Sequence, residues 1–360
     1  MTKNDMQKLV VEHEKTKKRS LKRRFALSIA LFVIFLCVVL GLTMASETFL
    51  RWYFSDILSS ANGRTYFNNR SLSLFIAEQQ NDFKLRGKKF NLIKNDRVVR
   101  VVVLGDSLAY GQGVWPYEKR FPEQALKIFQ KRYPNLDIEI INTGIAGQDL
   151  IQHNRYLAGF ILALQPDFVL YQWYINDMNT TYDDLAAFIA PPLISNAKWH
   201  KTLIEKSVLY FLLQRTWGQI RTQLGLQRNV NEHLISKFSD PKSKYSLAAK
   251  EQLNKLLNRL EQENIPHGIV LFPSFDTKMS AYQLGFLHKQ VLDVCKEHDL
   301  GCLDLRQAYS KYDNQIKELW ANIFDHHPSA LAHRVAAEEI VDFYGDGWAK
   351  MAASKASDHN

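Results

Sequence analysis

Cysteine is scarce in this 360-residue chain, with only three, so a small secreted scaffold held together by a disulfide framework is excluded. Zinc-type motifs (CxxC, HExxH), an acidic metal cluster, the GxGxxG fingerprint and the Gly-Lys-Ser/Thr end of a P-loop are also missing. A structural zinc, a dinucleotide or a P-loop nucleotide is therefore not expected, and neither a metal nor a cofactor is called for. No internal repeat is evident. Acidic residues are outnumbered, 37 against 46 basic ones, for a net charge of +9. That excess is local, because residues 1–24 carry nine Lys or Arg against Asp5, Glu12 and Glu14. Subtracting this +6 from +9 leaves the rest of the chain near +3. No Phe, Tyr or Trp interleaves the basic residues as in single-strand binders, so nucleic acid is not an expected partner.

An apolar content of 46% and 12% aromatic residues suffice for one sizeable α/β domain with appendages. Phe25 to Ala45 is an uncharged run of 21 residues. At about 1.5 Å per residue it spans roughly 31 Å, the thickness of a bilayer's hydrocarbon core. Lys15, Lys17, Lys18, Arg19, Lys22, Arg23 and Arg24 precede it, and Glu47 and Arg51 follow. The positive-inside rule then predicts a single-pass inner-membrane protein, its N-terminus cytoplasmic and everything after Ala45 periplasmic or extracellular. A cleaved signal peptide ending at Thr43-Met44-Ala45 is the rival; its apolar region would exceed the usual stretch of about 7 to 15 residues. Cys37 falls in the span, leaving Cys295 and Cys302 as either a local bridge or two thiols.

The pattern divides the chain into a basic tail (1–24), the span (25–45), a stalk (46–95), a main domain (96–345) and a frayed polar tail (346–360). The stalk holds amphipathic stretches (ETFLRWYFSDIL, SLSLFIAEQQ) and KLRGKKFNLIKN, whose basic residues read as a solvated face packing near the domain. From Arg97 onward near-continuous β-runs (VVRVVVLG, IEIINTG, FVLYQWYIND, GIVLFPS, CLDL) alternate with helical periods. That is the sequence form of a parallel sheet covered on both faces. Residues from about 180 to 246 break the rhythm and read as a helical insertion, a candidate lid or substrate wall.

In such a sheet the site lies beyond the C-terminal strand ends. There stand Gly105-Asp106-Ser107, then Asn142-Thr143-Gly144-Ile145-Ala146-Gly147, then Asn176-Asp177, and before the last helix Phe324-Asp325-His326-His327-Pro328-Ser329. A serine at a strand-to-helix turn exposes its hydroxyl but needs a base, usually histidine, which in turn needs a carboxylate to hold its tautomer. Asp325 and His327 have that chemistry. A metal reading of Asp325, His326, His327 and His333 is disfavoured, since six helical residues put His327 and His333 roughly 240° apart; His333 reads as helix surface or as a support behind the site. Trp115, Tyr117, Trp173 and Tyr174 near the strand ends read as core more readily than as a sugar-stacking platform.

Together, LGDSLAYGQGV, INTGIAGQDL, QWYINDMN and FDHHPSALAH resemble the SGNH hydrolases, also called GDSL esterases and lipases, over about Val98 to Tyr344. The resemblance implies a flavodoxin-like three-layer sandwich, Ser107 as nucleophile, His327 as base and Asp325 as its partner. The implied oxyanion hole is the backbone N–H of Ser107, the backbone N–H of Gly147 and the side-chain amide of Asn176. Tyr174 stands where the family usually has glycine, and Asp325 is two residues before His327 rather than three. His326 competes as base, but the Pro after His327 matches the family pattern. The expected function is an acyl-ester hydrolase acting on O-acetyl groups of cell-envelope glycans or lipids. Envelope O-acetyltransferase, lysophospholipase or thioesterase, and an inactive glycan-binding scaffold are the alternatives.

Overall fold

Alternate residues of a strand face opposite sides of a sheet, and in β1 (Val99–Leu104) both sides are buried: Val101 and Val103 enter one core layer, Val102 and Leu104 the other. The structure is a computed structural model that describes residues 3–54, 80–179, 197–226, 230–323 and 325–357. The chain opens with α1 (Lys3–Tyr53), passes through β1, and continues with α2 (Ser107–Tyr110), α3 (Phe121–Arg132), β2 (Ile138–Asn142), α4 (Leu150–Tyr156) and β3 (Phe168–Trp173). Then follow α5 (Lys198–Lys206), α6 (Val208–Gln223), α7 (Val230–Phe238), α8 (Lys244–Gln262), β4 (His267–Leu271), α9 (Gly285–Glu297) and β5 (Cys302–Asp304). After α10 (Arg306–Ser310) a short antiparallel pair, β6 (Trp320–Asn322) and β7 (Asp325–Pro328), precedes α11 (Ala330–Ser357).

The five-stranded sheet is wholly parallel in the order β2-β1-β3-β4-β5. This is the flavodoxin-like order, with helices on both faces. On one face α3 and α11 contribute Phe121, Phe129, Ile340 and Trp348 to the core; on the other α4, α8 and α9 contribute Leu150, Leu256, Leu257 and Leu287. Each such side chain, buried fully, stabilises the fold by roughly 1.5–3 kcal/mol relative to exposure. From β1 the chain steps to β2 on one side and then across to β3 on the other, so the topological switch lies at the ends of β1 and β3. A crevice opens at such a point.

Two expectations are corrected and one left open is resolved. The basic run before the domain is not a solvated face throughout: Arg86 is buried. Its guanidinium donates to the carbonyls of Tyr110, Gly111 and Val114 and stacks 3.8 Å over the Trp115 ring. Burial and the neighbouring Arg120 push its pKa down to about 9. Arg86→Ala strips three carbonyls of a charged donor and is expected to cost roughly 3–5 kcal/mol, read as a lowered urea midpoint of the full-length protein. The polar tail from 346 is not frayed, since α11 runs on to Ser357 with Trp348, Ala349 and Ala352 buried. Trp348 meets Phe129, Phe168 and Tyr344, and Lys355 Nζ donates to Asp167 at 3.0 Å. Cys295 and Cys302, left open by the sequence, are joined in a disulfide.

Among the described residues one helix is long and apolar enough to cross a membrane, the Leu21–Tyr53 part of α1. Of the stretch read as an insertion, α5, α6 and α7 are described; positions 180–196 and 227–229 lie outside the described residues, as do the stalk positions 55–79 and Phe324.

Candidate active site

Ser107 opens α2 immediately after β1, and the turn is fixed from three directions. Asp106 is the N-cap, its carboxylate accepting from Leu108 N at 2.8 Å. Gln172, a polar residue buried in the apolar β3, accepts from the backbone N–H of Asp106 at 3.1 Å and of Ala109 at 3.2 Å through one side-chain oxygen. Asn142 at the end of β2 donates to Ala109 O at 2.7 Å. Gly144 lets the next loop close onto this turn: a Cβ there would stand 2.4 Å from Tyr110 N, against backbone that cannot yield.

The expected base, His327, arrives from β7. Asp325 and His327, two apart on this short and irregularly paired strand, turn toward Ser107, while His326 turns toward another part of the same cavity wall. His327 Nε2 lies 3.0 Å from Ser107 Oγ, and His327 Nδ1 lies 2.5 Å from Asp325 Oδ1, which also accepts the His327 backbone N–H at 3.1 Å. The two-residue spacing that departs from the family pattern is thus compatible with this array. His326 instead pairs through Nδ1 with Asp276 Oδ1 at 2.5 Å and stacks on Trp320.

Of the expected oxyanion donors, the backbone N–H groups of Ser107 and Gly147 meet no acceptor among the described residues. Gly147 has φ 82°, in the left-handed region that glycine tolerates. The Asn176 amide donates to Gln148 O at 2.8 Å, tying the third strand end to the Gly147 loop.

Burial draws the pKa of His327 down, but the hydrogen bond to Asp325 and the charges of Asp325, Asp106 and Asp276 outweigh it, and the net shift is upward. Asp106, fully buried, has its carboxyl pushed up to about 6 by desolvation, opposed by the Leu108 N–H, Asn176, His327 and Gln172. A cavity of about 230 Å³ opens beside His327, with Tyr174, Arg215, Ser274, Asp276 and His326 in its wall.

The structure therefore brings Ser107, His327 and Asp325 together. It corrects the surface reading of His333, which is buried against Phe121 with its Nδ1 accepting the Phe121 N–H at 3.2 Å. Among the described residues no group of three or more His, Cys, Asp or Glu is placed to hold a metal. Trp173 is core, buried against His288, while Tyr174 is half-buried in the cavity wall. Sequence reasoning missed Gln172, Arg86 and Asp276. A lone polar residue in FVLYQW marked the first, and Asp276, soon after the fourth β-run, obeys the same strand-end rule that found Ser107.

No protein-family model and no curated protein matches the chain. Solved structures do: an acetyl xylan esterase at 14% identity, over 68% of this chain and 98% of that one, with a TM-score of 0.44. A catalytic mutant of an acetylxylan esterase from Geobacillus stearothermophilus matches at 17% identity, over 69% and 95%, with a TM-score of 0.44. An α/β hydrolase enzyme from the metagenome of Lake Arreo, Spain, matches at 15% identity, over 69% and 95%, also at 0.44.

Proposed function

We propose that the chain is a membrane-anchored serine ester hydrolase of the SGNH type. The observation that carries this is the continuous Ser107–His327–Asp325 array, at 3.0 and 2.5 Å, at the sheet's switch point. In the proposed reaction Ser107 Oγ attacks the ester carbonyl carbon as its proton passes to His327 Nε2. Asp325 holds the other ring nitrogen and stabilises the imidazolium. The oxyanion takes hydrogen bonds from Ser107 N–H, Gly147 N–H and the Asn176 amide. Collapse breaks the ester C–O bond, and the leaving alcohol takes the proton back from His327. Water then attacks the acyl-serine by the same route, releasing the carboxylic acid and restoring Ser107.

The small cavity, with Leu108, Ile175, Val230 and Phe275 in its wall, suits a short acyl group, and the polar part of that wall, Ser274, Asp276, His326 and Arg215, suits a hydroxyl-rich alcohol. With α1 as a span and the domain beyond it, O-acetylated envelope glycan or glycolipid is the substrate class this supports. Full-length protein in detergent is expected to hydrolyse p-nitrophenyl acetate and to take a fluorophosphonate adduct on Ser107, located by peptide mass spectrometry. The absence of both hydrolysis above background and an adduct on Ser107 would overturn the reading. Acetyl appearing on an added glycan acceptor faster than free acetate would make the chain a transferase using the same serine.

The base must be neutral, so kcat/KM falls as pH drops through the raised pKa of His327. Asp106→Asn keeps a side-chain oxygen for the cap but removes a negative charge beside His327. The imidazole then loses its proton at lower pH, and the acidic limb is expected to move down by a few tenths to about one pH unit. An unmoved limb in the pH–rate profile would show that Asp106 does not act on the base.

A further inference from the structure

The helical excursion beside the catalytic pocket carries an apolar stripe that faces outward. On α6 Leu213, Trp217 and Ile220, and Leu224 just beyond its end, follow one another at intervals of four, three and four, which places them on one side of the helix. They are 59%, 48%, 38% and 65% exposed, while Val208 and Phe211 on the opposite side are buried. On α5 Trp199 and Leu203, four apart, are exposed as well. A patch of this kind marks a contact surface.

What it contacts follows from where α6 begins. Glu47, on α1, accepts from Ser207 Oγ at 2.9 Å and from the backbone N–H groups of Val208 at 3.1 Å and Leu209 at 2.9 Å, capping α6 from another helix. Arg51 of α1 donates to Lys206 O at 2.5 Å and pairs with Glu47 at 2.7 Å. Glu47 is two residues past Ala45, so at about 1.5 Å per residue the start of α6 is pinned about 3 Å beyond the end of the uncharged run. The interfacial zone on each side of a bilayer is about 5–8 Å deep. Phe49, exposed on α1, is about 6 Å past Ala45, and Trp52 and Tyr53, also exposed and of the types that settle at the interface, stand about 10–12 Å past it, at the zone's outer edge. Arg215, in the wall of the cavity beside His327, is seven residues along α6 from Val208. Whatever the tilt of α6, its backbone there stands no more than about 10 Å above the start of the helix.

We infer that α5 and α6 lie in the bilayer surface as a second membrane contact, their Trp199–Leu203 and Leu213–Leu224 stripes in the lipid interface, so that the catalytic pocket opens at headgroup level. The substrate is then an ester on a molecule held in that membrane, a glycolipid or lipid-linked glycan, rather than a polymer at a distance. The inference rests on α1 being a membrane span. Its occupant is the lipid surface because the helix that bears the stripe is pinned at its start, through the Glu47 cap, to the outer end of that span.

Site-directed nitroxide labelling of the full chain tests it, in nanodiscs of phosphatidylethanolamine and phosphatidylglycerol. A Cys37→Ser background leaves only the disulfide-bonded pair. Labels are placed singly by Trp217→Cys and Leu224→Cys, with Leu36→Cys as the reference inside the span and Lys127→Cys as the exposed reference on α3. Collision with oxygen relative to a water-soluble nickel complex is expected to be severalfold higher at 217 and 224 than at 127, and below that at 36. Ratios at 217 and 224 equal to that at 127, with 36 still lipid-like, would overturn the inference and leave the anchor standing. Shielding of 217 and 224 from both reagents would overturn it in favour of a protein cover, another segment or a second copy. A water-like ratio at 36 would remove the anchor and the inference with it.

Discussion

Replacing His327 by alanine is expected to lower kcat for p-nitrophenyl acetate by about 10⁴-fold or more, whereas His326→Ala remains within about tenfold of the parent. The two histidines are neighbours in sequence, each paired with a carboxylate at 2.5 Å, yet only His327 Nε2 stands within hydrogen-bond reach of Ser107 Oγ, at 3.0 Å. Without it neither the serine hydroxyl in acylation nor the water in deacylation has a base to take its proton, so both chemical steps suffer even though p-nitrophenolate leaves without being protonated. His326 lines the cavity and stacks on Trp320, so its loss is expected in KM more than in kcat. Steady-state kinetics of the two variants decide the matter. A large kcat loss in His326→Ala with His327→Ala spared would reverse the assignment.

The second large effect is expected from Asp325→Asn, a fall of about 10³–10⁴-fold in kcat with KM little changed. Asp325 Oδ1 accepts both the ring and the backbone N–H of His327. An asparagine oxygen in the same place keeps the backbone contact, so the strand geometry survives and the thermal transition should hardly move. What disappears is the charge that stabilises the imidazolium. Hydrogen bonding from His327 outweighs burial and keeps the Asp325 carboxyl below its usual range. Full kcat with a raised KM would make Asp325 a binding support instead.

The large pieces of this fold were readable because their signals are local. Five β-runs with apolar residues on both faces have few alternatives to a parallel sheet, and Ser107, Asn176 and the Gly147 loop stand where such a sheet places its ligands. The closing strand was not readable: Asp-His-His-Pro has no apolar alternation, and it pairs only because β6 lies beside it. Gln172 and Arg86 act on backbone groups 63 and 24 or more positions away in sequence, and no local pattern encodes such reach. Composition misleads at the last turns of α11, since small and polar residues there are adequate helix formers once Trp348 anchors them to the core.

The hairpin that carries the proposed catalytic pair is not an even ladder: Trp320 stands opposite Pro328 and Asn322 opposite Asp325, so three steps along β7 answer two along β6. The extra residue falls in the stretch that holds His326 and His327, where a bulge bends the strand and re-aims its side chains. Which histidine reaches Ser107 is therefore set by this irregularity as well as by residue identity. A small library of single insertions and deletions between Trp320 and Pro328, scored on ester hydrolysis, is expected to lose activity with every triad residue still in place.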